Sequence, residues 1–299
     1  NVIHAARSVP IASERRLLHV LPQEFTIDVQ EGIKNPVGMS GVRMEAEAHI
    51  ITCADDMAKN LVKCIERCDL SSDQLIFSAL ASSYAVLTDD ERELGVCVVD
   101  IGGGTMDIVI YTDGAIRHTA VIPVAGNQIT SDIAKIFRTP ISNAEEIKVN
   151  YACALKDMVS MEENIEVPSV GGRPARAMSR HTLAEVIEPR YQELFELVQK
   201  EIRASGFEEQ IAAGLVLTGG TAKMEGAVEF AEEIFQMPVR VGKPINMRGL
   251  SEYTDDSSFA TVVGLLHYGK MQADNKKTSK QKSGESFFQR VQSWFKGEF

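Results

Sequence analysis

Between residues 16 and 52 the hydrophobic pattern has a period of two. Apolar positions cluster in Arg16-Leu17-Leu18-His19-Val20-Leu21 and in Phe25-Thr26-Ile27-Asp28-Val29, and a turn follows at Asn35-Pro36-Val37-Gly38. Beyond it the chain alternates: Val42, Met44, Ala46, Ala48 and Ile50 fall on one side, Arg43, Glu45, Glu47 and His49 on the other. Alternation of this kind predicts strands of a half-buried sheet, with the apolar side inward. Asn1 to Arg7 is helix-like, and the period lengthens again after the start signal Asp55-Asp56, where Met57, Leu61, Cys64, Ile65 and Cys68 recur at helical spacing.

Thr88-Asp89-Asp90-Glu91-Arg92 reads as a polar turn before Val96-Cys97-Val98-Val99-Asp100-Ile101, a continuous apolar run typical of a central strand buried on both faces. Ile108 to Tyr111, the turn Asp113-Gly114 and Arg117 to Val124 complete a three-strand meander, and residues 140–172 are mixed and polar. Thr182-Leu183-Ala184-Glu185 fits a capping box, and Leu194, Leu197, Val198 and Ile202 extend a helical stripe past a kink expected at Pro189. Leu215 to Thr218 is a short strand ended by Gly219-Gly220, followed by a helix through Phe235 and a strand at Val239 to Val241. Ala260 and Gly264, one helical turn apart, are expected to let two helices approach closely.

Composition narrows the class. The 299 residues are 44 % hydrophobic and 24 % charged, near globular averages, and no apolar run of about 18 residues occurs. Disordered, collagenous and membrane-spanning readings drop out, leaving two domains or one large α/β unit. Five cysteines, an odd number, point to a reducing compartment, the cytoplasm. The net charge of −11 is uneven: residues 270–299 carry seven Lys/Arg against three Asp/Glu, leaving 24 against 39 in residues 1–269. The acidic body gives no electrostatic reason to expect nucleic acid, whereas the basic end suits an anionic surface. The chain opens without Met inside a helix-like stretch, which reads as a fragment.

Two glycine loops carry the candidate chemistry. In Asp100-Ile101-Gly102-Gly103-Gly104-Thr105-Met106-Asp107, three glycines let backbone N–H groups approach an anion, Thr105 adds a hydroxyl, and Asp100 and Asp107 can hold Mg²⁺ through water. The loop joins strand to strand, which the dinucleotide fingerprint does not, and a Gly-rich hairpin of purely structural purpose stays open. Leu217-Thr218-Gly219-Gly220-Thr221-Ala222-Lys223-Met224-Glu225-Gly226 places a glycine turn between a strand and a helix start, where a base or ribose can come close; an ordinary βα loop is the alternative. Together, the two suit a nucleotide held between two subdomains. His49-x-x-x-Cys53 and Cys64-x-x-x-Cys68 have ligand-like spacing, but the thiols share the apolar stripe, and buried structural cysteines are expected instead of a zinc site. No Ser-His-Asp arrangement is readable.

The end of the chain has its own pattern. At about 100° per residue, Phe287, Phe288, Val291, Trp294, Phe295 and Phe299 fall within an arc of about 140°, with Gln289, Arg290, Gln292, Ser293 and Lys296 opposite. Residues 286–299 are thus an expected amphipathic helix behind a flexible, Lys-rich linker at 271–285. Membrane contact is assigned to Phe287, Phe288, Arg290, Val291, Trp294, Phe295 and Lys296; a helix docked on the body's own core is the alternative. One such tail binds reversibly, and many on a polymer gain avidity of about 10²–10⁴.

The first loop resembles the second phosphate motif of the actin, Hsp70 and sugar-kinase superfamily, and the second loop resembles its adenosine motif. Lys34 to Met44, Leu75-Ile76-Phe77 with Ala81-Ser82-Ser83-Tyr84, Val167 to Arg173 and Gly264-Leu265-Leu266-His267-Tyr268-Gly269 resemble the FtsA family of bacterial cell-division proteins over nearly the whole chain. The resemblance implies an α/β, actin-like (ribonuclease H-like) two-domain ATPase fold with an FtsA-specific subdomain and a C-terminal amphipathic helix. It implies ATP with Mg²⁺, phosphate contacts from Gly102, Gly103, Gly104 and Thr105, and Asp100 and Asp107 near the metal. Glu145 and Lys148 resemble the superfamily's ribose-contacting Glu-x-x-Lys, a plain solvent-facing pair being the alternative, and Gly219, Gly220, Thr221 and Met224 are expected on the adenosine. No catalytic residue is assigned.

By the same likeness residues 1–52 belong to the FtsA-specific subdomain, 53–93 and 251–270 to subdomain 1A, 94–130 and 205–250 to 2A, and 131–204 to 2B. The family's first phosphate motif would lie upstream of residue 1. The implied role is a nucleotide-dependent scaffold, at most a weak ATPase, that forms filaments on the cytoplasmic face of the inner membrane at the septum and tethers FtsZ there. Later division proteins such as FtsN are further expected partners. A small-molecule kinase or an Hsp70-like ATPase of the same superfamily is the rival reading.

Overall fold

The computed structural model describes residues 2–247, 249 and 255–274. The chain begins with a short helix α1 (Val2–Ala6) over an antiparallel sheet of order β2-β1-β3, formed by β1 (Arg15–Ile27), β2 (Gln30–Ile33) and β3 (Met44–Ala54). The two strands expected at 16–21 and 25–29 are one strand of 13 residues. Its pairing with β3 shifts register between Leu17 and His19 and again between Pro22 and Glu24, where the second bulge accommodates the proline. Gln23, at the second bulge, donates to the Ile116 carbonyl at 2.7 Å.

The alternation of β3 is read correctly in its middle, where Ala46, Ala48 and Ile50 are half-buried and Glu45 and Glu47 exposed, but not at its ends. Val42 and Met44 are exposed, Ile51 is the buried position, and His49, on the side read as polar, sits 2.8 Å from the Thr119 hydroxyl. This sheet rests on the rest of the molecule through a polar-edged contact, and hydropathy does not mark such a face. Beside His49, buried His19 accepts a hydrogen bond at Nε2 from the Phe77 amide, 3.1 Å away.

Helix α2 (Asp55–Glu66) forms where its spacing predicts, but only Ala58 is buried. Met57, Leu61, Cys64 and Cys68 are exposed and Cys53 is half-buried, which corrects the expectation of buried thiols. Among the described residues, none covers that stripe. Helices α3 (Ser78–Val86) and α4 (Asp89–Leu94) follow. The second replaces the expected polar turn: Thr88 and Glu91 form a reciprocal capping box, Thr88 N donating to Glu91 Oε2 at 2.8 Å.

The main sheet has the order β10-β9-β4-β5-β6, from β4 (Val96–Ile101), β5 (Met106–Thr112), β6 (Ala115–Ile122), β9 (Leu215–Thr218) and β10 (Val239–Val241). β4 is parallel to β9 and antiparallel to β5, and all six of its residues are buried. Alternate residues feed two cores. Cys97, Val99, Ile101, Ile108, Ile110, Leu215 and Leu217 pack toward α5 (Gly126–Phe137), α6 (Ile141–Tyr151), α7 (Arg180–Ser205) and α8 (Ala227–Phe235). Val96, Val98, Val109, Tyr111 and Val216 pack toward α3 and a last helix, α9, over residues 260–274. The helix enters the stretch read as linker, so residues 271–274 are helical; residues 275–299, with Phe287, Phe288, Arg290, Val291, Trp294, Phe295 and Lys296, lie outside the described residues.

A small two-stranded sheet, β7 (Asn164–Val167) with β8 (Arg176–Ser179), precedes α7. The cap of α7 is Ser179, whose hydroxyl accepts from the His181 amide, so the box expected at Thr182 lies inside the helix. The helix continues unbroken through Pro189, held by the buried stripe Leu183, Ile187, Tyr191, Leu194, Phe195, Val198 and Ile202. Among the described residues, no helix is long and apolar enough to cross a membrane.

Two predictions follow from this packing. A Cβ on Gly264 would lie 1.7 Å from the Ala81 carbonyl oxygen of α3, the close approach expected from sequence. Alanine is the better helix former by about 1 kcal/mol, yet the clash reverses the sign: Gly264→Ala should destabilise by about 2 kcal/mol or more in urea denaturation. Burial lowers the pKa of His19, and burial with the neighbouring His118 lowers that of His49. The unfolded chain therefore takes up these protons first, and their contribution, present above the ordinary histidine range, is lost as pH falls. Thermal midpoints should drop between about pH 7.5 and pH 5.5, and His19→Gln should flatten that slope.

Candidate functional site

The β4–β5 hairpin closes through Gly102 N, which donates to the Thr105 carbonyl at 3.0 Å. Its outward carbonyls are then used to fasten α5: Gly126 N donates to Gly102 O at 3.2 Å and Asn127 N to Gly103 O at 2.7 Å. The second loop joins the same point, for Thr221 Oγ1 donates to Gly102 O at 2.9 Å. Glycine is required at two contacts. A Cβ on Gly126 would stand 2.3 Å from Thr221 Oγ1, and one on Gly219, where φ is +87°, would stand 2.5 Å from both Asp100 Oδ1 and the Ile101 carbonyl. The two loops predicted from sequence therefore touch, and Tyr191 braces the second by donating to Thr221 O at 2.7 Å.

Between them opens a cleft of about 520 Å³. Of the residues singled out from sequence, Gly102, Gly103, Glu145, Lys148, Gly220, Thr221 and Met224 line it. Gly104 and Thr105 form the end of the hairpin, Gly219 lies under the corner, Asp100 and Asp107 sit at the hairpin's base, and none of these five is in the lining. Lys148 is not the solvent-facing partner of a plain helical pair. It is 9 % exposed, and its ammonium donates to Thr130 Oγ1 at 2.9 Å, to Gly126 O at 3.3 Å and to Glu145 Oε2 at 2.7 Å. Burial alone would raise the pKa of Glu145, but hydrogen bonds from Lys148 and Thr130 bring it below the ordinary glutamate value.

Asp100 and Asp107 are register partners across the hairpin, so their carboxylates lie on one face. Burial raises both pKa values, and Asp100 adds to the effect on Asp107. Among the described residues, no cluster of three or more His, Cys, Asp or Glu could hold a metal ion. Two carboxylates with free oxygens suit a hard cation that keeps most of its waters.

Sequence reasoning missed Asn127, Asn150, Arg180 and Ser258, which also line the cleft. Arg180 opens α7 and draws distant segments together, donating to Tyr151 O at 2.6 Å and pairing with Glu163 at 3.1 Å and with Glu225. Its partners are 17 to 45 residues away, so no local pattern announces it. Asn127 had a usable signal, a Gly-Asn step directly after the meander.

The family model described as cell division protein FtsA matches residues 97–264, and that for the SHS2 domain inserted in FtsA matches residues 1–52. The chain belongs to the FtsA family of cell division proteins. The FtsA of Escherichia coli strain K12 is 57 % identical over 100 % of this chain and 74 % of its own length, and that of Pseudomonas aeruginosa is 54 % identical over 100 % and 73 %. MreB5 of Spiroplasma citri, solved bound to ADP, shares the fold at a TM-score of 0.61 and 20 % identity, over 75 % of this chain and 68 % of its own. The double helical filament of MamK shares it at 0.55 and 15 %, over 73 % and 66 %. The actin-like α/β fold expected from the two loops is thus the fold of this FtsA-family chain.

The contact between loops makes Gly219 a sensitive position. Gly219→Ala combines a positive φ with two sub-contact distances and should destabilise this FtsA-family chain by about 2–4 kcal/mol in chemical denaturation. Gly104→Ala, which meets open space, should change stability by less than about 1 kcal/mol.

Proposed function

We propose that this chain binds ATP in the cleft between its glycine loops and works in cell division as a nucleotide-dependent, filament-forming scaffold that holds FtsZ at the membrane. The observation that carries the nucleotide reading is the joining of Gly102, Gly126 and Thr221 at one carbonyl, beside a cleft lined by the Glu145–Lys148 ion pair. Gly102, Gly103, Gly104 and Thr105 contact the phosphates, Glu145 and Lys148 the ribose, and Gly219, Gly220, Thr221 and Met224 the adenosine. Asp100 and Asp107 hold Mg²⁺ through water, and the ion would offset phosphate charge. The MreB5 structures of Spiroplasma citri, one bound to ADP and one to AMPPNP, support a nucleotide in a fold of this kind.

Residues 1–52 serve as the FtsA-specific subdomain, 53–93 with 251–270 as 1A, 94–130 with 205–250 as 2A, and 131–204 as 2B, the receiver of FtsZ. Residues 286–299 lie on the cytoplasmic face of the inner membrane at the septum, as an amphipathic helix. Each tail contributes little alone, so polymerisation sets residence on the surface. FtsN and other late division proteins are further partners.

The test has two arms. Calorimetry with ATP should give saturable binding that Lys148→Ala weakens about tenfold or more, and unchanged binding would exclude the assigned cleft. Co-sedimentation with anionic vesicles and FtsZ should be ATP-dependent and lost in Trp294→Glu; retention by that variant would remove the membrane assignment.

A further inference from the structure

The two carboxylates of the hairpin are held in an unusual way. Asp100 is 8 % exposed and no cation pairs with it or with Asp107 among the described residues. Each carboxylate uses one oxygen for two hydroxyl donors. Asp100 Oδ2 accepts from fully buried Ser82 at 2.5 Å and from Thr261 at 3.2 Å; Asp107 Oδ2 accepts from Ser78 at 2.9 Å and from Thr105 at 3.3 Å. No donor among the described residues reaches either Oδ1. The Oδ1 of Asp100 faces the Gly219 corner, where an added Cβ would stand 2.5 Å away.

Ser78 and Ser82 are four residues apart on α3 and so share one helix face, which α3 presents to both acids. The Ser82 and Thr261 hydroxyls lie 2.9 Å apart, so α3 and α9 converge on the same carboxylate oxygen. A free aspartate side chain rotates about two bonds, and a hydroxyl on one oxygen fixes where the other points. Neutral hydroxyls leave the buried negative charge itself uncompensated. Two anchored carboxylates on one face of the hairpin, each with one oxygen that accepts nothing from the described residues, are organised for a divalent, oxygen-seeking cation.

We propose that Ser82 and Ser78, together with Thr261, are positioning residues that orient Asp100 and Asp107 toward the divalent cation accompanying the nucleotide, an inference that rests on the ATP reading above. The hydroxyls do not touch the ion. They set the direction of the free carboxylate oxygens, and they make α3 and α9 part of the cation's support.

The experiment uses the full chain and compares ATP affinity in excess Mg²⁺ with affinity in EDTA, and separately follows water proton relaxation of Mn²⁺ added with ATP. Wild type should bind ATP more tightly with Mg²⁺. Ser82→Ala should erase about tenfold of that gain and alter the relaxation signal while changing metal-free ATP binding by less than about twofold. Thr261→Ser, which keeps the hydroxyl, should behave as wild type, and Thr261→Val should follow Ser82→Ala. Ser78→Ala acts on the other carboxylate and gives the same readout should Ser82→Ala fail to fold. Variants that keep the wild-type ratio would overturn the positioning role and leave the ATP reading standing. A wild-type chain that binds ATP in neither condition would overturn both.

Discussion

The molecule depends on how near two backbone corners can come. The Gly102 carbonyl receives the Gly126 amide and the Thr221 hydroxyl at once, and Gly219 presses against Asp100 and Ile101 with no room for one further carbon. Secondary structure from three separate stretches ends at that junction: the β4–β5 hairpin, the start of α5 and the turn after β9. Because the contact is made by backbone and small groups, it leaves the longer side chains, Lys148 and Arg180, free to line the space beside it.

The rest of the fold holds these corners in place. β4 has no solvent-facing residue, and its alternating side chains enter two cores. One core carries α5 to α8 and with them the cleft wall; the other carries α3 and α9, whose hydroxyls reach back to the aspartates at the strand's end. At roughly 1.5–3 kcal/mol for each large apolar side chain buried, the strand contributes substantially to stability, and its end places Asp100 opposite Asp107 of β5.

Local chemistry was the most legible. Three glycines between two aspartates, Gly219-Gly220 after a short strand, and Glu145 three residues before Lys148 are patterns whose meaning lies within a few positions. The strand alternation of residues 42–50 was readable too, but not the contact of His49 on its polar side, because His49 meets Thr119 across 70 residues of sequence. The α2 stripe was read as buried, yet spacing says only that apolar residues share a face. Capping signals competed: Thr88 and Glu91 cap a helix too short and exposed to show periodicity, whereas Ser179 precedes and displaces the box at Thr182. Arg180 was invisible because its meaning comes from Tyr151, Glu163 and Glu225, which only the folded chain assembles.

The bulge at Gln23 has a further consequence. Its amide occupies a backbone acceptor on β6, an outer strand of the main sheet, while at the opposite margin β10 is three residues long and Arg240 is clasped by Glu91 and by the Val86 carbonyl. Each flank of the main sheet thus carries a device that discourages the addition of a further strand. At this sheet, contact with another chain is favoured through shaped side-chain surfaces over open-ended strand addition.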